Sequence, residues 1–221
     1  MGLRIRMICG FWLAAALFGQ SQPPARIVEP GAPGTAGKVL SPASVAIVPR
    51  EPSEADVQFM QGMIHHHAQA VEMVALMPGR VRSPALAKFG KRISISQTDE
   101  MQFMRQWLAD RGKPVPMQHD MSHMEHMNGS GMIDMASMPM MPGMLTPQQM
   151  KTLANAKGAK FDRLFLTGMI QHHKGALVMV EDLFNTPGSG EDALLFDFAT
   201  DVNNTQTAEI KIMQGMLKEK K

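Results

Sequence analysis

The stretch Met60-Gln-Gly-Met-Ile-His-His-His-Ala-Gln-Ala-Val-Glu-Met73 decides the predicted fold of this chain. It recurs 106 residues later as Leu166-Thr-Gly-Met-Ile-Gln-His-His-Lys-Gly-Ala-Leu-Val-Met179. At 100° per residue, the apolar positions around the first copy form one stripe, which is typical of an amphipathic helix. We expect His66 and Met73 at the border of this stripe and His65 on the solvent side. The stripe itself contains Phe59, Met63, His67, Ala70, Val74 and Met77.

A second repeated segment follows each copy, at residues 96–108 and 205–217. Each contains a glutamine, a glutamate and a methionine with i, i+3, i+7 spacing, which places the three side chains on one helix face. They are Gln97, Glu100 and Met104 in the first segment, and Gln206, Glu209 and Met213 in the second. The repeats therefore extend beyond single helices to pairs of consecutive helices.

Proline and glycine positions separate the predicted helices. We expect long helices at about 54–77, 84–109, 160–184 and 190–219, and a short helix at about 147–156. Two αα-hairpins of the same design can bury their apolar faces against each other. The sequence therefore predicts an all-α fold, a four-helix bundle from two duplicated αα-hairpins joined by a long Met/His-rich crossover.

The N-terminus predicts export. Residues 1–21 resemble a signal peptide, because Arg4 and Arg6 precede an apolar run that is too short to span a bilayer. A short membrane anchor is the alternative interpretation. Cleavage would leave a periplasmic or secreted protein with no membrane contact.

The rest of the chain divides by composition. Seven prolines between residues 22 and 52 predict a disordered leader. The helical domain then covers 53–221. It comprises a hairpin at 53–110, a Met/His-rich connection at 111–145 and a second hairpin at 146–221.

Composition excludes several classes of function. A net charge of +2 is too small to indicate a nucleic-acid partner. The single cysteine, Cys9, lies in the predicted signal, so the exported chain would have no thiolate ligand, disulfide or cysteine nucleophile. No Ser/His/Asp arrangement or phosphate loop is recognisable. The 23 methionines are the outlier, several times the usual share of about 2%.

Methionine and histidine together indicate a soft metal. Thioethers favour Cu(I) or Ag(I), and neutral imidazole accepts copper in either oxidation state. The glutamates can ligate, or can orient an imidazole N–H. Buried core methionines, hydrogen-bonded core histidines and a buried polar network are the alternatives. The candidate ligands in the helices are Met63, His66, His67, Met73, Glu100, Met104, Met169, His172, His173, Met179, Glu209 and Met213.

The connection adds a second candidate metal site. Ten methionines lie between residues 117 and 144, while glycines and prolines prevent a long buried helix. A site here requires an irregular conformation that the metal itself organises. The alternative is a low-complexity linker whose methionines act as an oxidant sink. The candidate ligands are Met117, His119, Met121, His123, Met124, His126 and Met127.

At these residues the chain resembles the domain-of-unknown-function family 305, ferritin-like helical proteins of bacterial envelopes. The matching elements are Gly-Met-Ile-x-His-His-x-x-Ala at 62–70 and 168–176, and Gln-x-x-Glu-x-x-x-Met at 97–104 and 206–213. The resemblance covers about 53–221. It implies a four-helix bundle and, through Met-rich members, copper binding or copper resistance.

These observations favour an exported copper-binding protein, not an enzyme, acting as a buffer, sequestration protein or chaperone in copper resistance. Cu(I) is favoured, with Cu(II) or Ag(I) as alternatives, and a copper exporter or another envelope copper protein is a candidate partner. A ferritin-like metal oxidase is one alternative function. Di-iron bundles of that kind use Glu-x-x-His, which none of the predicted helices contains. A structural or partner-binding bundle without metal is the other alternative.

Overall fold

A capping box starts helix α1 (Glu54–Ala75). The Ser53 hydroxyl accepts from the Asp56 backbone N–H at 3.1 Å, and the Asp56 carboxylate accepts from the Ser53 N–H at 2.9 Å. These two bonds satisfy N–H groups that the first helical turn leaves without intrahelical partners. Gly79, with φ of 70°, takes the chain out of the helix and into the next turn.

Local signals also place the other helices. Helix α2 (Pro84–Asp110) begins after Ser83 with proline in its first turn, and helix α3 (Pro147–Ala154) begins with a Thr146 capping box. Helix α4 (Gly158–Asn185) and helix α5 (Ala193–Lys218) complete the order. The predicted helices therefore exist, with ends that differ from prediction by three residues or fewer.

The computed structural model describes residues 27–29, 36–40, 51–116 and 140–218. These residues are predominantly helical, which confirms the all-α class. Helix α1 packs on α2, α4 packs on α5, and α1 also packs on α4, while α3 lies against α4. We call α1 and α2 the first half, and α4 and α5 the second half. Among the described helices, none combines the length with the apolar composition that a membrane span requires.

A separate unit at residues 1–49 contains one short antiparallel strand pair. Strand β1 (Ile27–Glu29) pairs with β2 (Lys38–Leu40), with Val28 opposite Val39. This pairing lies within residues 22–52, the span predicted as a disordered leader, and the β-branched and aliphatic residues of the two strands favour it. Both central valines are exposed to solvent.

The buried residues of the helices form two apolar clusters. One contains the C-terminal halves of α1 and α5 and the N-terminal halves of α2 and α4. The other joins the opposite halves of the same four helices. On every long helix a buried polar residue lies between the two clusters. We call this set the polar layer, and it consists of His66, His67, Gln97, His172, His173 and Gln206.

Two buried aspartates connect the halves reciprocally. Asp56, at the start of α1, accepts from the Gly190 N–H before α5 at 2.7 Å. Asp162, at the start of α4, accepts from the N–H groups of Arg82 and Ser83 before α2 at 2.9 and 3.1 Å. Each half therefore supplies the hydrogen-bond acceptor for the interhelical turn of the other half.

The buried face of α1 is wider than its apolar stripe predicts. His66 and Met73 are fully buried, although both were expected at a border, and His65 is half-buried although solvent exposure was expected. The reason is that α1 packs against α4 as well as α2. Contact with two helices covers positions that a single partner would leave open.

Candidate metal centre

A histidine–glutamate pair lies at the same place in each half. The Nε2 atom of His67 is 2.6 Å from Glu100 Oε2, and that of His173 is 2.7 Å from Glu209 Oε2. Ser96 donates a further hydrogen bond to Glu100. Burial opposes ionisation of Glu100, but the hydrogen bonds from His67 and Ser96 and the charge that His67 can carry outweigh it and lower the pKa of that carboxyl.

The other two histidines meet at the contact between the halves. The ring centroids of His66 and His172 are 3.8 Å apart, with the planes tilted by 37°. His66 Nε2 lies 3.0 Å from the Pro142 carbonyl oxygen, and His172 Nε2 lies 2.8 Å from the backbone oxygen of His66. Both side chains are fully buried, so their polar atoms have no access to solvent.

The chemical environment keeps these two central imidazoles neutral. Burial, followed by the charge of His67, lowers the pKa of His66 to about 3, against the opposing effect of the bond to Pro142. The pKa of His172 is lowered well below its usual value by burial and then by His66 and His173. A carbonyl oxygen can only accept, so the neutral ring carries its proton on Nε2. The Nδ1 lone pair is then available.

All four buried histidines leave Nδ1 without a hydrogen-bond partner among the described residues. In each, Nε2 faces an oxygen acceptor that fixes the orientation of the ring. An imidazole that donates through one nitrogen and offers the other as a lone pair is the arrangement found in metal-ligating histidines. These unpartnered nitrogens fit a metal ion.

Buried thioethers accompany these histidines in both halves. A Cβ atom at Gly168 would lie 3.3 Å from the methyl carbon of Met73, and one at Gly62 would lie 3.4 Å from that of Met179. Each half therefore inserts a methionine against the glycine of the other half. Met63, Met73, Met104, Met169 and Met213 are fully buried, while Met179 is partly buried.

Residues 140–146, the end of the Met-rich connection, lie over the central histidines. The Pro142 carbonyl oxygen accepts from His66. In addition, the side chain of Gln69 donates to the Leu145 backbone oxygen at 3.0 Å and accepts from the Leu145 N–H at 2.7 Å. A Cβ atom at Gly175 would lie 1.9 Å from the Pro142 oxygen, so only glycine permits this approach. The sequence did not predict this contact. The repeat does show a glycine, Gly175, at the position that matches Gln69 in the first copy.

Histidine and acidic side chains do not form a site by themselves. In the described ranges no group of three His, Cys, Asp or Glu residues is placed to hold an ion together. A site there needs other donors, and thioethers and side-chain amides are the buried candidates. The predicted ligands of the connection, Met117, His119, Met121, His123, Met124, His126 and Met127, lie outside the described residues.

Fold and polar layer together define an all-α protein with paired histidines in its core. The chain belongs to the family described as "Domain of unknown function (DUF305)", which matches residues 56–217. That match confirms the family resemblance in the sequence.

Solved structures agree with this assignment. A DUF305 fragment from Deinococcus radiodurans is 26% identical with a TM-score of 0.61, covering 77% of this chain and 99% of that one. A DUF305 protein from Streptomyces coelicolor, described as a candidate secreted protein, is 26% identical with a TM-score of 0.60, covering 75% and 93%.

CopM is also similar to this chain. Its Cu(I)-bound form is 25% identical with a TM-score of 0.54, covering 74% of this chain and 96% of that one. Structures of Cu(II)-bound and Ag-bound CopM match as well. No curated protein sequence matches this chain significantly.

Proposed function

We propose that this protein binds copper as its cargo and acts as a buffer, sequestration protein or chaperone in copper resistance. The observation that carries the proposal is the set of four buried Nδ1 atoms, none of which has a hydrogen-bond partner among the described residues. A buried lone pair without a partner costs free energy in the metal-free protein, and a bound cation removes that cost. The likeness to copper- and silver-bound CopM supports the same function.

Each half would contribute an equivalent set of donors. In the first half these are the Nδ1 atoms of His66 and His67 with the thioethers of Met63 and Met104. Glu100 holds the His67 ring through Nε2 and so keeps its Nδ1 orientation fixed. The matching donors of the second half are Met169, His172, His173 and Met213, with Glu209 holding the ring.

We further propose the architecture behind these sets, two duplicated αα-hairpins packed as a four-helix bundle. Reciprocal contacts between matching positions support it: Met73 lies by Gly168, and Met179 lies by Gly62. The connection between residues 111 and 145 would be a second copper-capturing region. Its described end already contacts His66 through Pro142.

Export and the absence of catalysis complete the proposal. An N-terminal signal would direct the chain to the periplasm or outside the cell, where a copper exporter or another envelope copper protein is the expected partner. A ferritin-like di-iron oxidase uses carboxylate-rich ligation, whereas the buried candidate donors here are chiefly imidazoles and thioethers. The protein would therefore hold and release copper without chemical turnover.

Competition titration with a Cu(I) chelator tests the proposal, on residues 26–221 and on the same chain lacking residues 117–144. We expect a Kd below micromolar for both, with a larger copper capacity for the chain that keeps the connection and a weaker helical site in the shortened chain, which also loses the Pro142 contact to His66. If neither binds better than micromolar, the function is wrong. Turnover of Fe(II) or Cu(I) with oxygen would instead support an oxidase.

A further inference from the structure

Two buried glutamines have no part in the donor sets described so far. Gln97 on α2 and Gln206 on α5 occupy matching positions and are each 2% exposed. Neither the amide oxygen nor the amide nitrogen of either side chain has a hydrogen-bond partner among the described residues. An unpartnered buried amide lowers the stability of the folded protein. The same cost at two equivalent positions requires an explanation.

Their positions associate them with the histidines. Gln97 lies one helical turn before Glu100, and Gln206 lies one turn before Glu209, on the same helix faces. Those glutamates hold two of the four imidazoles of the polar layer, those of His67 and His173. Both glutamines also lie between the two apolar clusters. The side chains of those clusters are apolar and do not serve as hydrogen-bond partners for an amide.

The polar layer is rich in lone pairs. Four imidazole Nδ1 atoms and two amide oxygens are without partners among the described residues, against only two amide nitrogens that can donate. An excess of electron-pair donors in a buried layer favours a cation over an anion. Because histidines and acids do not complete a site in the described ranges, the amide oxygens are available as the missing donors.

We propose that the side-chain amide oxygens of Gln97 and Gln206 are metal ligands, and that they give the polar layer the capacity to hold Cu(II). This inference rests on the copper-binding function proposed above. Amide oxygen is a harder donor than thioether sulfur, and imidazole nitrogen serves both oxidation states. Cu(I) is held by the histidines of the layer together with methionines of the adjoining apolar clusters, and Cu(II) by the histidines and glutamines of the layer itself.

The test replaces both amides by thioethers of similar length, in Gln97→Met plus Gln206→Met of the full chain. We expect Cu(II) affinity to fall about tenfold or more, with a changed Cu(II) EPR spectrum, while Cu(I) affinity stays equal or rises. The urea midpoint of the metal-free protein should rise, because two unpartnered amides are removed. Gln102→Met, on the exposed face of α2, is the matched control and should change none of these quantities.

The outcomes separate the two proposals. A wild-type chain that binds no copper refutes the proposed function itself. If the wild type binds copper, an unchanged Cu(II) affinity and EPR spectrum in the double variant overturns the glutamine assignment alone. Equal losses for Cu(I) and Cu(II), together with a lower urea midpoint, would mean that the amides hold the fold, which also overturns it. If the double variant does not fold, the single variants Gln97→Met and Gln206→Met are measured against the same criteria.

Discussion

The two halves of the helical region match in their buried donors and differ in what covers them. The His67–Glu100 and His173–Glu209 distances agree to within 0.1 Å, at 2.6 and 2.7 Å. By contrast, His66 donates to Pro142 in the 140–146 segment, while His172 donates to the backbone of α1. The repeat therefore accounts for the matching buried donors, and the 140–146 segment makes the two halves unequal. Of the two central histidines, the one in the first half is bonded to the chain segment that ends the Met-rich connection.

The largest expected effect concerns the lowered pKa that the two central histidines, His66 and His172, share in the metal-free protein. In the unfolded chain a histidine takes up a proton near pH 6.5, whereas folded His66 stays neutral down to about 3 and the pKa of His172 is also well below the usual value. The stability that each histidine contributes is therefore fully present above pH 6.5 and falls at lower pH by about 1.4 kcal/mol per pH unit, down to about pH 3 for His66.

Urea unfolding between pH 7.5 and 4.5 measures that slope. The variant His66→Asn should reduce it by about half, and His172→Asn should do the same if the halves are equivalent in this respect. A slope that neither substitution reduces would show that other groups cause the acid sensitivity.

The next effect tests the contact between the 140–146 segment and helix α4 of the second half. In Gly175→Ala the new methyl would lie 1.9 Å from the Pro142 oxygen, so the 140–146 segment must move off α4. We expect the free energy of unfolding to fall by about 1–3 kcal/mol, as for other overpacked sites. Gly215→Ala is the control in α5, where a Cβ meets open space, and should stabilise by up to about 1 kcal/mol. Equal effects of the two changes would contradict the close contact.

A smaller effect compares the two carboxylates. Removal of the group that orients a ligating histidine typically costs 10–100-fold in metal affinity. We expect Glu100→Ala and Glu209→Ala each to weaken Cu(I) binding by about that range in a chelator competition. A loss in one variant only would show that a single half binds copper. No loss in either would favour hydrogen-bonded core histidines.

The smallest expected effect removes a difference between the halves. Ser96 donates to Glu100 at 2.8 Å, whereas the matching Thr205 is exposed. Ser96→Ala should lower the free energy of unfolding by about 0.5–1.5 kcal/mol and raise the pKa of Glu100, because that pKa is held down partly by the lost bond. Thr205→Ala serves as the control and should be close to neutral. NMR titration of the glutamate side chains measures the pKa change.

Most of the fold could be predicted because its signals are local. The capping residues Ser53 and Thr146 and the prolines at 84 and 147 mark helix starts within the sequence itself. The start of α5 is less well marked, and it lies three residues later than predicted. There the Asp192 carboxylate accepts a hydrogen bond from the Leu195 N–H in the first turn of the helix. That aspartate also accepts from Trp107, a contact between distant parts of the chain that local rules do not contain.

The candidate site was predictable in composition and less so in geometry. The repeat identified His67 and Glu100 as candidate ligands on consecutive helices, and the structure brings them together. The bond from His66 to Pro142 joins positions 76 residues apart, and no periodicity relates a helix to a loop at that distance. The repeat placed Gln97 on the same helix face as Glu100 and Met104, but its burial without a hydrogen-bond partner depends on every neighbouring side chain.

The reciprocal aspartates have a consequence for how the chain can be divided. Asp56 binds the turn before α5, and Asp162 binds the turn before α2, so a half produced alone would lose the acceptor for its own turn. Two copies of one half, however, carry the complementary groups. Residues 51–116 should therefore associate as a homodimer in which each Asp56 binds the other copy's Arg82–Ser83 turn. The same aspartate-to-turn contact that joins the halves within one chain would then join two separate chains.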